Sequence, residues 1–294
     1  MNKMKICAVV VTYNRLNLLK ICVNAIKNQS YKLDEIIVIN NSSTDGTLEW
    51  LAEQESITSI TLPNGGATPS FSYGMEYGVK NQYDWIWVMD DDSIPDAFSL
   101  QTMVNLIGQK ENIGYVTPSV VWKDDSSHVM NTQHMFKTKL NFYKDLQCGV
   151  IKSDYASFVG LLISAKAIKR VGLPISEYFI WNDDVEFTER INKVFTSYLV
   201  FGSKVVHSTP ENHSPSLREL SKQNIFKFKY GFRNKIHLIR SRYNFSWRGY
   251  VIAFLWLVYN VALVIFNKPQ FTLVLLWSGL KGFFFYPKTK MVYE

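Results

Sequence analysis

The sequence predicts an α/β fold, a sheet flanked by helices, followed by a basic and apolar helical extension. Three observations predict it. Short β-branched apolar runs alternate with helical apolar spacing through the first hundred residues. Polar clusters fall at the carboxyl ends of those runs, where open α/β sheets hold their ligands. After residue 215 the composition turns basic and aromatic, then apolar.

The elements follow in order. Residues 5–12 form an apolar run that suits a buried parallel strand. Residues 16–28 carry Leu18, Leu19, Ile21, Cys22, Ala25 and Ile26 at helical spacing. A second buried strand spans 35–39 and a turn follows at 40–43. A helix then runs to 54, with Thr44 or Asp45 as its N-cap. Residues 57–62 read as a strand, 69–81 as a helix and 85–89 as a strand. This order predicts parallel pairing with right-handed crossovers. Further on, 114–122 and 154–164 read as strands, the latter running into a helix over 165–171. Residues 181–193 read as a helix and 197–207 as a strand. The expected division is a catalytic domain over 1–215 and an extension over 216–294.

Composition bounds the function. The chain has 294 residues, 47% apolar and 19% charged, which excludes a disordered chain and permits a large core. Three scattered cysteines are too few for a disulfide framework or a zinc site, and they fit a reducing cytosol. The apolar run 6–11 is too short for a secretory leader. Net charge is +7, but residues 218–248 hold nine Lys or Arg against one acid, Glu219. Basicity this local argues against nucleic acid as the partner. Beside an apolar C-terminus it points to anionic lipid, with a solvated helix face as the alternative.

Three clusters carry chemistry. Asp90, Asp91 and Asp92 follow an apolar strand directly, and like charges packed so closely raise one another's pKa. A divalent cation relieves that cost, and hard oxygen ligands suit Mg²⁺ or Mn²⁺, which can bridge to a diphosphate. A lone helix cap would need only Asp92. Trp181-Asn182-Asp183-Asp184-Val185-Glu186 sets paired acids at the mouth of a helix. That arrangement suits a general base near an acceptor hydroxyl, or acids that merely complement the helix dipole. His207 ends a strand, where it could complete a metal site or be structural, with His213 as a weaker competitor.

Together these residues resemble family 2 glycosyltransferases, the inverting nucleotide-sugar enzymes with a GT-A fold, a Rossmann-like mixed sheet flanked by helices. Residues 9–15 (VVVTYNR) are similar to the family's opening strand, and 36–46 (IIVINNSSTDG) to its second strand and turn. Asp90-Asp91-Asp92 resembles its metal-binding motif, and 181–187 the later acidic pair. The resemblance covers about residues 5–210. Tyr230-Gly-Phe-Arg-Asn234 resembles an element of bacterial rhamnosyl- and galactofuranosyltransferases of surface polysaccharide synthesis.

The resemblance implies a UDP- or dTDP-sugar donor, with Thr12, Tyr13, Arg15 and Asn41 around the nucleotide and Gly66 near the diphosphate or sugar. It implies Asp90 or Asp91 at the ribose, and Asp92 with His207, and Asp90 beside them, on Mn²⁺ or Mg²⁺. Asp184 is then the base, with Asp183 assisting and Trp181 and Glu186 at the acceptor. Many members place an acid where this chain has Asn40-Asn41, which leaves the nucleotide base open. A glycan, lipid-linked in bacterial surface synthesis, is the implied acceptor. A sugar-nucleotidyltransferase would want a Gly-rich basic loop after the first strand, where this chain has Thr12-Tyr13-Asn14-Arg15. A noncatalytic glycan- or lipid-binding module would not require both acid clusters and His207.

Residues 251–266 and 271–286 are apolar runs of 16 residues each. As helices they measure about 24 Å, short of a bilayer core of about 30 Å. The expectation is a monotopic hairpin on the cytoplasmic face of the membrane, with Trp247, Trp256, Trp277 and Tyr286 near the interface. A hairpin packed on the catalytic domain, or a homo-oligomer contact, is the alternative.

Overall fold

A computed structural model describes residues 4–131, 134–135 and 148–293. The first half runs β1 (Ile6–Thr12), α1 (Leu16–Lys27), β2 (Glu35–Asn40), α2 (Thr47–Ala52), β3 (Thr58–Thr61), α3 (Ala67–Lys80) and β4 (Trp85–Asp90). Then come β5 (Ser93–Pro95), α4 (Ser99–Ile107), β6 (Ile113–Val121), β7 (His134–Met135), β8 (Val150–Tyr155) and β9 (Leu161–Ser164). They are followed by α5 (Ala165–Val171), α6 (Asp183–Asn192) and β10 (Thr196–His207). Three further helices close the chain: α7 (Ile225–Arg242), α8 (Trp247–Asn267) and α9 (Thr272–Phe283).

The described strands form a mixed sheet in the order β3-β2-β1-β4-β9-β6-β10-β8-β7, with β5 paired to β10. β1, β2, β3 and β4 pair in parallel, as the alternation predicts. β9 then enters antiparallel between β4 and β6. The strand expected over 154–164 is therefore two: β8 pairs with β10, and β9 returns to β4. A turn at 156–160 breaks the run, and Gly160 supplies its positive φ of 71°.

β1 is apolar throughout because both its faces are covered. Ile6, Ala8 and Val10 pack with Leu19, Cys22, Val23 and Ile26 of α1 and Leu100 and Met103 of α4. Cys7, Val9 and Val11 pack on the other face with Phe71 and Met75 of α3 and Phe187 and Ile191 of α6. α3 approaches closely: a Cβ at Gly74 would lie 2.3 Å from Val9 Cγ1, so no larger residue fits without a shift.

The helix after β2 starts later than expected. Gly46, at φ 86°, takes the N-cap position of α2. Asp45 instead accepts from the Leu16 backbone N–H at 2.9 Å and from Thr47 Oγ1 at 2.5 Å, tying α1 to α2.

The C-terminal helices share a core of Phe232, Ile236 and Ile239 of α7, Ala253, Leu257 and Val264 of α8 and Leu275 of α9. α8 extends at both ends of the expected run. It has 21 residues and is long and apolar enough to cross a membrane. The basic stripe is partly internal. Arg240 is fully buried, donating to Gly282 O at 2.7 Å and Tyr250 Oη at 2.9 Å, and Arg242 pairs with Glu189. After α9 the chain returns to the sheet: Leu173 N–H donates to Lys290 O at 2.9 Å, and Val292 is buried beside α3 and α5.

Candidate active site

The polar clusters meet as the fold predicts, at the carboxyl ends of the strands. A cavity of about 530 Å³ opens there, with Asp90, Asp92, Asp183, Asp184, Trp181, Arg15 and His207 on its wall. Two acidic clusters separated by some ninety residues of sequence thus face one space.

Register brings Asp92 to His207. β5 is three residues long and lies antiparallel on the end of β10, with Ser93 opposite His207. Ser208 N–H donates to Asp92 O at 2.8 Å, which locks the pair. His207 Nδ1 sits 2.7 Å from Asn131 Oδ1, which fixes the ring with Nε2 turned toward the carboxylate. That Nε2 faces Asp92 Oδ1 at 3.2 Å. Asp92 Oδ1 is buried without a hydrogen bond, because the contact lies outside hydrogen-bond geometry. A carboxylate oxygen and an imidazole nitrogen turned toward one another suit a proton or a cation between them.

The charge balance points the same way. Burial, then the charges of Asp92 and Asp91, drive the Asp90 carboxyl well above the usual range. Burial also lifts Asp92, but His207 and Arg15 outweigh it and hold Asp92 below that range. Arg15 Nη1 reaches Asp92 Oδ2 at 2.5 Å and Asp91 Oδ1 at 3.3 Å. One guanidinium against three carboxylates leaves the cluster short of positive charge. Among the described residues no group of three His, Cys, Asp or Glu is arranged to hold a metal alone. Two protein ligands still fit Mg²⁺ or Mn²⁺, because such ions take the rest of their shell from phosphates and water.

The second acid pair sits on a strained turn. Phe179, Trp181 and Asn182 have φ of 66°, 64° and 65°, which costs about 1–3 kcal/mol for each such residue. Neighbours hold it in place. Asn234, fully buried on α7, points its amide at the carbonyls of Tyr178, Ile180 and Trp181 at 3.0, 3.0 and 2.9 Å. Phe179 fills the space beside Gly66, where a Cβ would lie 2.7 Å from its ring. α6 then begins, with Asp183 and Asp184 in its first turn. Asp183 Oδ2 accepts from Thr68 Oγ1 at 2.7 Å. Burial, then the charge of Asp183, pushes Asp184 up to about 7. A carboxyl titrating near neutrality is suited to take a proton from a hydroxyl.

Several expected site residues turn elsewhere. Asp91 faces the β1 loop rather than the cavity, accepting from Thr12 Oγ1 at 2.8 Å and Tyr13 N–H at 3.3 Å. Thr12 is buried in that bond. Both ends of the buried Asn41 amide are engaged internally, donating to Gly66 O at 3.0 Å and accepting from Ser70 Oγ at 2.9 Å. That leaves Asn41 poorly placed to read a nucleotide base. Gly66 serves Phe179 and Asn41. Glu186 is off the cavity wall, in a two-point pair with Arg190 at 2.9 Å for both contacts. Tyr13 is 48% exposed and does not line the cavity. His213 lies outside, between Glu211 and Glu219.

Sequence reasoning missed Asn131, which orients His207, and Ser157, whose buried Oγ lacks a partner on the same cavity wall. Neither carries a local signal, since Ser and Asn are common in loops. Asn234 was visible as a motif member, but its role depends on α7 lying against 178–181.

Known proteins resemble this chain in sequence and in fold. The galactofuranosyltransferase GlfT1 of Mycolicibacterium smegmatis is 29% identical over 209 residues, 67% of this chain and 68% of that protein. GlfT1 of Mycobacterium tuberculosis (strain CDC 1551 / Oshkosh) is 27% identical over 205 residues, covering 67% and 66%. Among solved structures, GalNAc-T7 with UDP, GalNAc and Mn²⁺ superposes with a TM-score of 0.61 at 15% identity. The match covers 81% of this chain but 48% of that one. The mannosyltransferase PcManGT of Pyrobaculum calidifontis, with GDP-Man and Mn²⁺, gives 0.56 at 13% identity over 96% of this chain and 74% of its own. Residues 7–172, more than half of the chain, match the family model for glycosyl transferase family 2. The chain therefore belongs to that family and is a glycosyltransferase with a GT-A fold.

Proposed function

We propose that this enzyme transfers a sugar of the galactofuranose or rhamnose type from a UDP- or dTDP-sugar to a growing lipid-linked bacterial surface glycan, with inversion and with a divalent cation. The observation that carries the reading is the shared cavity, with Asp92 and His207 on its wall together with Asp184. The two GlfT1 relatives favour galactofuranose, and the UDP held by GalNAc-T7 favours the uridine nucleotide.

Asp92 Oδ1 and His207 Nε2 would hold the cation, with Asp90 beside them. A bound cation stabilises charge developing on the leaving diphosphate. Arg15 holds Asp92 and Asp91 in place, and Tyr13, on the same loop after β1, offers an exposed ring for a nucleotide base. Asp184 takes the proton of the acceptor hydroxyl. The hydroxyl oxygen bonds to the anomeric carbon as the bond to the nucleoside diphosphate breaks. A single displacement needs no covalent intermediate, and it inverts the anomeric centre. Trp181 presents an apolar face to the acceptor sugar. Asp183, bonded to Thr68, fixes the first turn from which Asp184 projects.

The reading places residues 1–215 as the catalytic part and 216–294 as the part that meets the cytoplasmic face of the membrane. The 21-residue α8 and its exposed apolar side chains support the second assignment. The test is a screen of nucleotide sugars, UDP-galactofuranose first, for nucleotide release with a synthetic lipid-linked acceptor and Mn²⁺. Release of UDP or dTDP that needs both acceptor and cation supports the reading. No turnover with any such donor overturns it.

A further inference from the structure

A second cavity of about 400 Å³ is lined by Lys229 and Arg233 of α7 and Lys281 of α9, with the rings of Phe179, Phe226 and Tyr230. Phe179 belongs to both neighbourhoods: it walls this cavity, while Ile180 and Trp181, next in the chain, wall the catalytic one. Phe179 and Tyr230 stack at 4.6 Å, so the partition between the two is aromatic.

The second cavity has cations and no acid on its wall. Among the described residues, none of the three cations pairs with a carboxylate. Arg233 is held by Asn234 Oδ1, by the carbonyl of Glu177 and by the rings of Phe285 and Tyr230, at 4.1 and 4.9 Å. Among the described residues its Nη1 makes no hydrogen bond. A fixed guanidinium flanked by two ammonium groups is an arrangement that takes phosphate oxygens.

The approach to this cavity is apolar. On α9, Leu273, Trp277 and Lys281 follow at four-residue spacing and share an exposed face. Along that face the chain passes from apolar to aromatic to cationic, the order met between a lipid interior and its head groups. α8 beside it exposes Phe254, Leu255, Val258 and Tyr259.

We propose that this cavity binds the phosphate or diphosphate of an amphiphile whose chain lies along α8 and α9, and that this amphiphile is the carrier of the acceptor sugar. The proposal rests on the lipid-linked acceptor described above and deepens it. A carrier phosphate held behind Phe179 leaves its sugar one aromatic wall from Trp181 and Asp184. The occupant is therefore the substrate's own carrier rather than a bilayer phospholipid.

The test uses the full chain, farnesyl diphosphate and farnesol as probes, and the Lys229→Ala/Lys281→Ala double variant. EDTA removes the cation that would hold the diphosphate probe in the catalytic cavity. Calorimetry should show farnesyl diphosphate binding tighter than farnesol, and about tenfold or more weaker in the double variant. Farnesol binding and UDP binding in Mn²⁺ should not change, and the Lys→Arg pair should restore the diphosphate affinity. Equal affinity for the two probes, or no loss in the variant, overturns the proposal. Displacement of farnesyl diphosphate by phosphatidylglycerol vesicles at equal phosphate overturns it in favour of the bilayer. Absence of UDP binding in Mn²⁺ would count against the glycosyl-transfer reading instead, whatever the probe does.

Discussion

His207 Nε2 lies 3.2 Å from Asp92 Oδ1, and the contact exists because a three-residue strand pairs with the end of a twelve-residue one. The imidazole cannot turn away, since Asn131 holds its other nitrogen at 2.7 Å. Neither side chain is thus free to relax from the other. The two are preset for a shared positive charge, and a ligand that brings one meets little reorganisation.

Removing either partner should expose that dependence. Asp92→Ala and His207→Ala are each expected to weaken UDP binding in Mn²⁺ by about tenfold or more, with no change in EDTA. Asn131→Ala should weaken it as well, because outer partners of metal ligands typically carry about 10–100-fold of affinity or activity. Calorimetry with and without Mn²⁺ checks all three. Wild-type affinity in either direct variant would remove this pair from the cation site.

Asp184→Asn is expected to lower kcat by about 10²–10⁴-fold while leaving UDP affinity intact, as loss of a general base does. The wild-type rate should rise as pH passes about 7, where burial and Asp183 place the Asp184 proton. Its folded value lies above its unfolded one, so ionising it costs stability, and the cost grows as pH rises through about 7. Asp184→Asn should therefore melt higher than wild type at pH 8, with the gap closing as pH falls. A pH–rate profile and melting curves at two pH values decide it.

Asn234→Ala removes donors from three carbonyls of the strained turn. The expected result is a loss of about 1–3 kcal/mol of stability, from unpaired buried carbonyls. A fall in kcat should accompany it, with KM for the donor unchanged. Denaturant melts and steady-state kinetics measure the two effects. If kcat holds while stability falls, the turn does not need Asn234 to aim Asp184.

Glu186→Gln separates two roles for that residue. Its pair with Arg190, which also donates to Leu173 O at 3.0 Å, makes it a brace between α6 and the loop after α5. Breaking a buried pair of this kind costs about 3–5 kcal/mol. Melting temperature should drop while acceptor KM stays put. The reverse pattern would return Glu186 to the acceptor.

Much of this was legible in the sequence, for a physical reason. β1, β2 and β4 are buried on both faces, so their apolar runs stand out, and polar residues mark their ends sharply. Asp90 to Asp92 were readable because like charges at that density need a purpose. The antiparallel entry of β9 was not readable, since a buried four-residue strand looks the same in either direction. Nor could the sequence distinguish Asp91 from Asp92. They are adjacent, yet one turns to Thr12 and the other to His207, and only the pairing of β5 decides which. Asn41 and Glu186 matched a pattern but had their hydrogen bonds taken by Ser70 and Arg190, neighbours that spacing does not reveal.

The return of the tail to the sheet sets a practical limit. Lys290 bonds Leu173 and pairs with Glu76 at 2.5 Å, and Val292 is sealed into the apolar layer next to the sheet. Shortening the chain at residue 247 to improve its behaviour in water would unplug that layer as well as discard the greasy helices. Solubilising changes are better painted onto outward-facing positions such as Phe266 and Leu273, with both ends of the loop left anchored.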